Sequence, residues 1–140
     1  MAVVQIKRLS ENATIPFRAT PGSAGLDLFS AEDVTIEPDA QSIVKTDLAM
    51  KCPESSYIKL ADRSSMALQK LRVSAGTIDS DFMGNVSVIL QNYGNKTYHV
   101  KKGQRICQMI VMPIIMPHIV EVDKLTSTER GVNGFGSSGL

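Results

Sequence analysis

The last stretch of the chain, Arg130-Gly-Val-Asn-Gly-Phe135-Gly-Ser-Ser-Gly-Leu140, sets one fixed charge, one aromatic ring and two hydroxyls on a glycine-rich strip. A guanidinium is a planar fork of donors matched to phosphate oxygens. A phenyl ring offers a face on which a base can stack. Glycine lets the backbone amides approach a ligand closely. A strip so poor in apolar residues does not order itself and stays mobile until something else orders it. It reads either as a clamp over a phosphorylated, base-bearing ligand or as a frayed terminus.

Four further segments carry residue types with chemical use. Thr20-Pro-Gly-Ser-Ala-Gly-Leu-Asp27 is a small-residue loop ending on an acid, and it is equally an ordinary turn. In Ala61-Asp-Arg63-Ser64-Ser65-Met-Ala67 an Arg and two hydroxyls stand at a predicted helix start, where free amides favour anions or where the serines simply cap. Ala75-Gly76-Thr-Ile78-Asp79-Ser-Asp81-Phe82-Met83-Gly84 places two acids in a predicted hairpin ahead of a ring. A carboxylate there can orient an attacking water, or the segment is a polar tip with its ring turned to the core. In Lys102-Gly103-Gln104-Arg105-Ile-Cys-Gln108-Met-Ile, the Gln108 amide falls in an apolar run and needs a partner, either backbone or ligand.

Short strands broken by turns must position these segments. Val34 and Ile36 alternate with polar neighbours, as do Ile58 and Leu60, and then Val86, Val88 and Leu90 ahead of the turn-like Asn92-Tyr-Gly-Asn95. Arg105 to Met112 is apolar on both faces, which predicts a strand buried between sheets. One helix is expected from Ser64 to Leu71, with Ala67, Leu68 and Leu71 on one face and Ser64 or Ser65 as its cap. Many short strands with one helix imply an all-β sandwich or barrel.

The 140 residues make one domain, with a net charge of +1 that supplies no basic footprint for nucleic acid. No apolar run reaches membrane-span length, and the first residues do not read as a signal peptide, so no membrane partner is expected. Cys52 and Cys107 sit among apolar neighbours and read as buried free thiols, suiting a reducing intracellular compartment, cytoplasmic or nuclear. His99 and His118 form no zinc-ligand spacing with them.

Taken together and in order, the five segments resemble the motifs of the trimeric dUTP pyrophosphatase (dUTPase) family. The family patterns are Ala-Gly-x-Asp, Pro-Arg-Ser-Gly-x-Ala, Gly-x-Ile-Asp-x-Asp-Tyr-x-Gly, Gly-x-Arg-x-x-Gln and Arg-Gly-x-x-Gly-Phe-Gly-Ser-Thr-Gly. The resemblance runs from Ala24 to Gly139. It implies an all-β, distorted jelly-roll subunit (a β-barrel-like domain over 1–125, with one short helix) and a flexible C-terminal tail over 126–140. It further implies a homotrimer whose active sites are shared between subunits. The substrate is then dUTP, hydrolysed to dUMP and pyrophosphate by water attacking the α-phosphorus. By the same resemblance Asp79 contacts the sugar 3′-hydroxyl and directs the water, and the backbone around Gly76, Ile78 and Met83 reads uracil. Phe82 packs on the sugar, Arg63, Ser64, Gln108, Arg130, Ser137 and Ser138 hold the phosphates, and Ser65 and Gly136 also belong to the substrate-binding set. Phe135 stacks on the base. Mg²⁺ is the implied cofactor, held mainly by phosphates and waters, with Asp27 acting on it indirectly through water.

Several positions depart from those patterns. Phe82 stands for Tyr, which removes one hydroxyl and leaves discrimination against ribonucleotides mainly steric. Asp62 stands for Pro and is expected either to pair with Arg63 in competition with ligand or to face solvent. Ser65 stands for Gly, Met66 for Leu, and Ser138 for Thr. Two other readings accompany the hydrolase: a dCTP deaminase-related enzyme, which needs a glutamate that the third segment lacks, and a nucleotide-gated trimeric binding module.

Overall fold

A computed structural model describes residues 2–139; Met1 and Leu140, the outer ends of the expected domain and tail, lie outside the described residues. The chain runs β1 (Gln5–Arg8), β2 (Leu26–Phe29), β3 (Val34–Ile36), β4 (Gln41–Lys45), β5 (Leu48–Lys51) and β6 (Ser56–Ala61). It continues through α1 (Ser64–Leu68), β7 (Leu71–Ser74), β8 (Thr77–Ile78), β9 (Ser87–Asn92), β10 (Tyr98–Val100) and β11 (Arg105–Pro113). All paired strands are antiparallel, in the orders β2-β11-β6-β8, β4-β9-β7, β1-β5 and β10-β3. This is the expected all-β architecture with one short helix.

Period-two alternation drives the strands into place. Along β6, Ser56, Ile58 and Leu60 point inward; along β9, Val88, Leu90 and Asn92 do so. Leu28, Ile36, Val44, Leu71, Val100, Ile106 and Met109 join them in one continuous core. The strand expected to be apolar on both faces is β11, flanked by β2 and β6. Ile106 and Cys107 are consecutive yet both buried, because the β2–β11 register shifts between Arg105 and Cys107. An irregularity of this kind re-aims side chains, and here it turns Arg105 outward beside the site. Asn92 closes the turn after β9: its amide donates to the Ile36 and Lys96 carbonyls, and its Oδ1 accepts from the Gly94 amide.

The helix differs from expectation. It ends at Leu68, and Leu71 opens β7 instead. Met66 is its buried residue, while Leu68 is 86 % exposed. The N-cap is Arg63 rather than a serine, and no side chain caps the helix. The reason is length: five residues between two strands present no i, i+4, i+7 face, so packing against the sheets selects the buried position. The expected hairpin is also replaced. The strand before Asp79, β8, pairs with β6, whereas the strand after it, β9, pairs with β4 and β7. Asp79 opens a turn closed by the Phe82 amide donating to its carbonyl at 3.1 Å.

Two local features carry testable consequences. Gly76 adopts φ +91°, its carbonyl accepts from Leu60 N–H at 2.8 Å, and a Cβ there would stand 2.9 Å from the Leu60 carbonyl oxygen. Gly76→Ala is therefore expected to cost about 1–3 kcal/mol of stability in denaturant titration. An unchanged midpoint would refute the close approach. Asp47 accepts from Ser10 Oγ at 2.7 Å and Asn85 Nδ2 at 2.8 Å. These bonds, Ser10 first, hold its carboxyl below the ordinary value of 3.8. A depressed carboxylate stabilises the fold above that ordinary value, and the contribution fades as pH falls through the lower folded value. The Tm gap between wild type and Asp47→Ala should be widest above pH 5 or so and narrow progressively below 3.8. A gap constant with pH would exclude the linkage.

Candidate active site

The first, second and fourth segments meet. Register sets Gln108 of β11 opposite Asp27 of β2 on one side and Ala61 of β6 on the other. The Asp27 carboxylate lies between two guanidiniums, with Oδ1 3.5 Å from Arg63 Nε and Oδ2 3.6 Å from Arg105 Nη1. Arg63 Nη1 also donates to the Arg105 carbonyl at 3.4 Å. One carboxylate against two guanidiniums leaves the cluster positive. Asp27 holds both cations near the surface without neutralising them, and both keep donors for phosphate oxygens.

Gln108 answers its own accounting: Nε2 donates to the Asp62 carbonyl at 2.9 Å. Its Oε1 would lie 2.6 Å from a Cβ at position 25, so the glycine of the first segment is the space into which the glutamine side chain packs. Asp62 follows neither course expected of it. Its carboxylate accepts from Arg72 Nε at 2.8 Å and Val73 N–H at 2.6 Å. Ser64 and Ser65 stand exposed in the first turn of α1. So short a helix sums few peptide dipoles, and anion affinity there must come from Arg63 and the hydroxyls.

The third segment lies elsewhere in the same chain. Ile78 pairs with Ile58 near the start of β6, while Arg63 follows the end of that strand. At about 3.3 Å per residue, Asp79 and Arg63 are roughly 20 Å apart along β6. Phe82 is partly exposed, with its ring folded over Gly84, where a Cβ would meet ring Cζ at 2.7 Å. Met83 is exposed.

The described residues of the tail make no hydrogen bond or ion pair to their own chain's cluster. Ile114 N–H donates to the Ser55 carbonyl, and beyond it the described residues hydrogen-bond only among themselves. Arg130, Ser137 and Ser138 nevertheless converge, lining a hollow of about 400 Å³ with Glu129 and Asn133. Turns from Asn133 N–H to the Arg130 carbonyl and from Ser137 N–H to the Gly134 carbonyl shape it. Phe135, at φ +53°, and Gly136, at φ +89°, project the phenyl ring fully into solvent.

The sequence reading passed over Arg105. Its place three positions before Gln108 was visible, but only the fold reveals that it shares Asp27 with Arg63 and lies 5.8 Å over the Phe17 ring. Cys107, beneath the cluster, is no nucleophile. Burial first, then Asp27 and Asp62, pushes its thiol up to about 12, so it stays protonated at neutral pH. Both cysteines are free and buried. No helix among the described residues is long and apolar enough to cross a membrane.

Comparison with known proteins identifies the family of this fold. The dUTPase family model matches residues 11–139. A deoxyuridine 5'-triphosphate nucleotidohydrolase from Mus musculus is 48 % identical over 139 residues, covering 99 % of this chain and 86 % of the mouse protein. One from cowpox virus is 43 % identical over 137 residues, covering 98 % and 93 %. Among solved structures, a variant dUTPase of Staphylococcus bacteriophage 80alpha with dUpNHpp superposes at TM-score 0.92, with 31 % identity and 99 % coverage of both chains. A variant dUTPase from phage phi11 of S. aureus, described as coordinating a structural Mg(II) ion, superposes at 0.85 with 28 % identity over 89 % of this chain and 99 % of that one. With the family model matching residues 11–139 and a relative 48 % identical over nearly the whole chain, the chain belongs to the dUTPase family.

Proposed function

We infer that this protein is a dUTP diphosphatase, hydrolysing dUTP to dUMP and pyrophosphate. The observation that carries the inference is the positive Asp27–Arg63–Arg105 cluster with Gln108 beside it, in a chain of the dUTPase family. Arg63, Ser64, Ser65 and Gln108 grip the triphosphate from this face, and Arg130, Gly136, Ser137 and Ser138 close on it from the tail. Gly76, Ile78 and Met83 read uracil through the backbone, Phe82 covers the sugar, and Phe135 stacks on the base. Asp79 aims a water at the α-phosphorus. The new P–O bond forms in line as the α–β bridging bond breaks, pyrophosphate leaves with that oxygen, and the water's proton passes toward the carboxylate. Charge neutralisation by preplaced guanidiniums supplies much of the rate.

Mg²⁺ fits this donor set only indirectly. Among the described residues no three His, Cys, Asp or Glu side chains gather as a metal site, and both Asp27 oxygens face guanidiniums. The ion would be held by triphosphate oxygens and waters, with Asp27 ordering one such water, and would supply further charge neutralisation on the phosphates.

The active unit is a homotrimer with shared sites. Two observations support this: the roughly 20 Å between Asp79 and Arg63 in one chain, and the apolar arm after β11. Ile115, at 88 % exposure, Ile119, at 90 %, and Leu125, at 82 %, have no cover in a single chain. Apolar surface of this extent needs a partner. Residues 1–125 then form the trimeric β body and 126–140 the closing tail.

A pyrophosphate-release assay across dUTP, dTTP, dCTP and UTP with Mg²⁺ tests the assignment, and turnover is expected for dUTP alone. Intact dUTP would defeat it, and ammonia release from dCTP would favour a deaminase. Asp79→Asn is expected to lower kcat by about 10²–10⁴-fold with little change in dUTP affinity. An equal loss in both would remove Asp79 from its role. Deletion of residues 130–140 should abolish turnover yet leave a folded trimer in analytical ultracentrifugation. Dissociation on that deletion would show that the tail holds the assembly together.

A further inference from the structure

Asp62 occupies the position where the family pattern has proline, and its carboxylate makes contacts that a proline ring cannot. It follows the last residue of β6 and precedes Arg63. Two strands, β7 and β11, converge on it with three hydrogen bonds. Its Oδ1 takes the Val73 N–H of β7 at 2.6 Å, its Oδ2 takes Arg72 Nε at 2.8 Å, and its carbonyl takes Gln108 Nε2 at 2.9 Å. Strand β7 is an edge strand of the β4-β9-β7 sheet, so the Asp62 carboxylate ties that edge to the end of a strand in the β2-β11-β6-β8 sheet. Proline would stiffen the same backbone covalently by locking φ. It would also offer a carbonyl to Gln108, but it has no carboxylate to hold β7.

We propose that Asp62 is a positioning residue for the triphosphate, its carboxylate clamp on Arg72 and Val73 replacing the proline ring in holding Arg63 and Gln108 in phosphate-binding register. Arg72, otherwise exposed at the start of β7, is the second member of the device. Charge-assisted bonds to a carboxylate are about twice as strong as neutral ones, and the Asp62 side chain is only 26 % exposed, which limits screening. The clamp also pairs the Asp62 charge, since one carboxylate oxygen takes the Arg72 guanidinium and the other the Val73 amide.

This inference rests on the phosphate-gripping roles given above to Arg63 and Gln108. Its test is calorimetric binding of an α,β-imido analogue of dUTP and, separately, of dUMP to the full-length protein. Wild type, Asp62→Ala, Asp62→Asn, Asp62→Pro and Arg72→Ala are compared. Asp62→Ala should weaken the analogue roughly tenfold, with dUMP, which offers a single phosphate, changed less than about twofold. Asp62→Asn and Arg72→Ala should each lose less, because the Val73 N–H keeps an acceptor, and Asp62→Pro should stay near wild type. A general structural role would weaken both ligands together. The proposal is overturned if Asp62→Ala binds the analogue like wild type, or if both ligands weaken equally. Should Asp62→Ala not fold, analogue affinity unchanged in both Asp62→Asn and Arg72→Ala overturns it instead. A wild type that binds the analogue yet leaves dUTP intact would count against the assigned reaction, while the comparison of variants still decides the clamp.

Discussion

One carboxylate between two guanidiniums organises this protein's candidate site. Asp27 on β2 reaches Arg63 from the β6–α1 loop and Arg105 from β11, so three separate strands or their ends depend on one acid. Without it, two cations standing side by side would repel and splay into solvent. With it they keep one excess positive charge and a fixed spacing, the form in which an arginine pair receives phosphate oxygens. The glycine at position 25 and the bulge after Arg105 both serve this contact, one by admitting Gln108 and the other by turning Arg105 outward.

Strand register imposes a second constraint. Because β8 runs antiparallel to β6, each step from Gly76 toward Asp79 moves away from Arg63. The carboxylate read as aiming water and the arginine read as holding phosphate cannot work together within one chain. The uncovered arm after β11 and the tail, whose described residues make no hydrogen bond to the body, belong to the same geometry. In the proposed homotrimer, a subunit built this way would lend its third segment and its tail to a neighbouring site and receive a neighbour's in return.

The departures from family pattern differ in consequence. Met66 packs as the buried residue of α1, touched by Tyr98 Oη at 3.5 Å, where the more usual leucine would also fill space. Ser65 is exposed and meets no evident constraint. Asp62 is another matter, because it introduces contacts to β7 that a proline could not make.

Residue types and their order made much of this legible before any coordinates. Alternation in Ile58–Leu60 and Val88–Leu90 located strands, since period two is a local property of an extended chain. Five spaced segments identified the family and named Asp27, Arg63, Gln108 and the tail. Other features depended on through-space neighbours. The helix stopped at Leu68 because flanking strands left room for no more, and Asp79 lost its hairpin because β8 chose β6 as partner. Asp62 turned to Arg72, and Arg105 joined Asp27, through contacts between residues 10 and 78 positions apart in the chain. Sequence by itself determined which chemical groups are present and the local periods that carry them. Only tertiary structure decided which groups meet, because register, bulges and sheet order are set by the packing of distant strands.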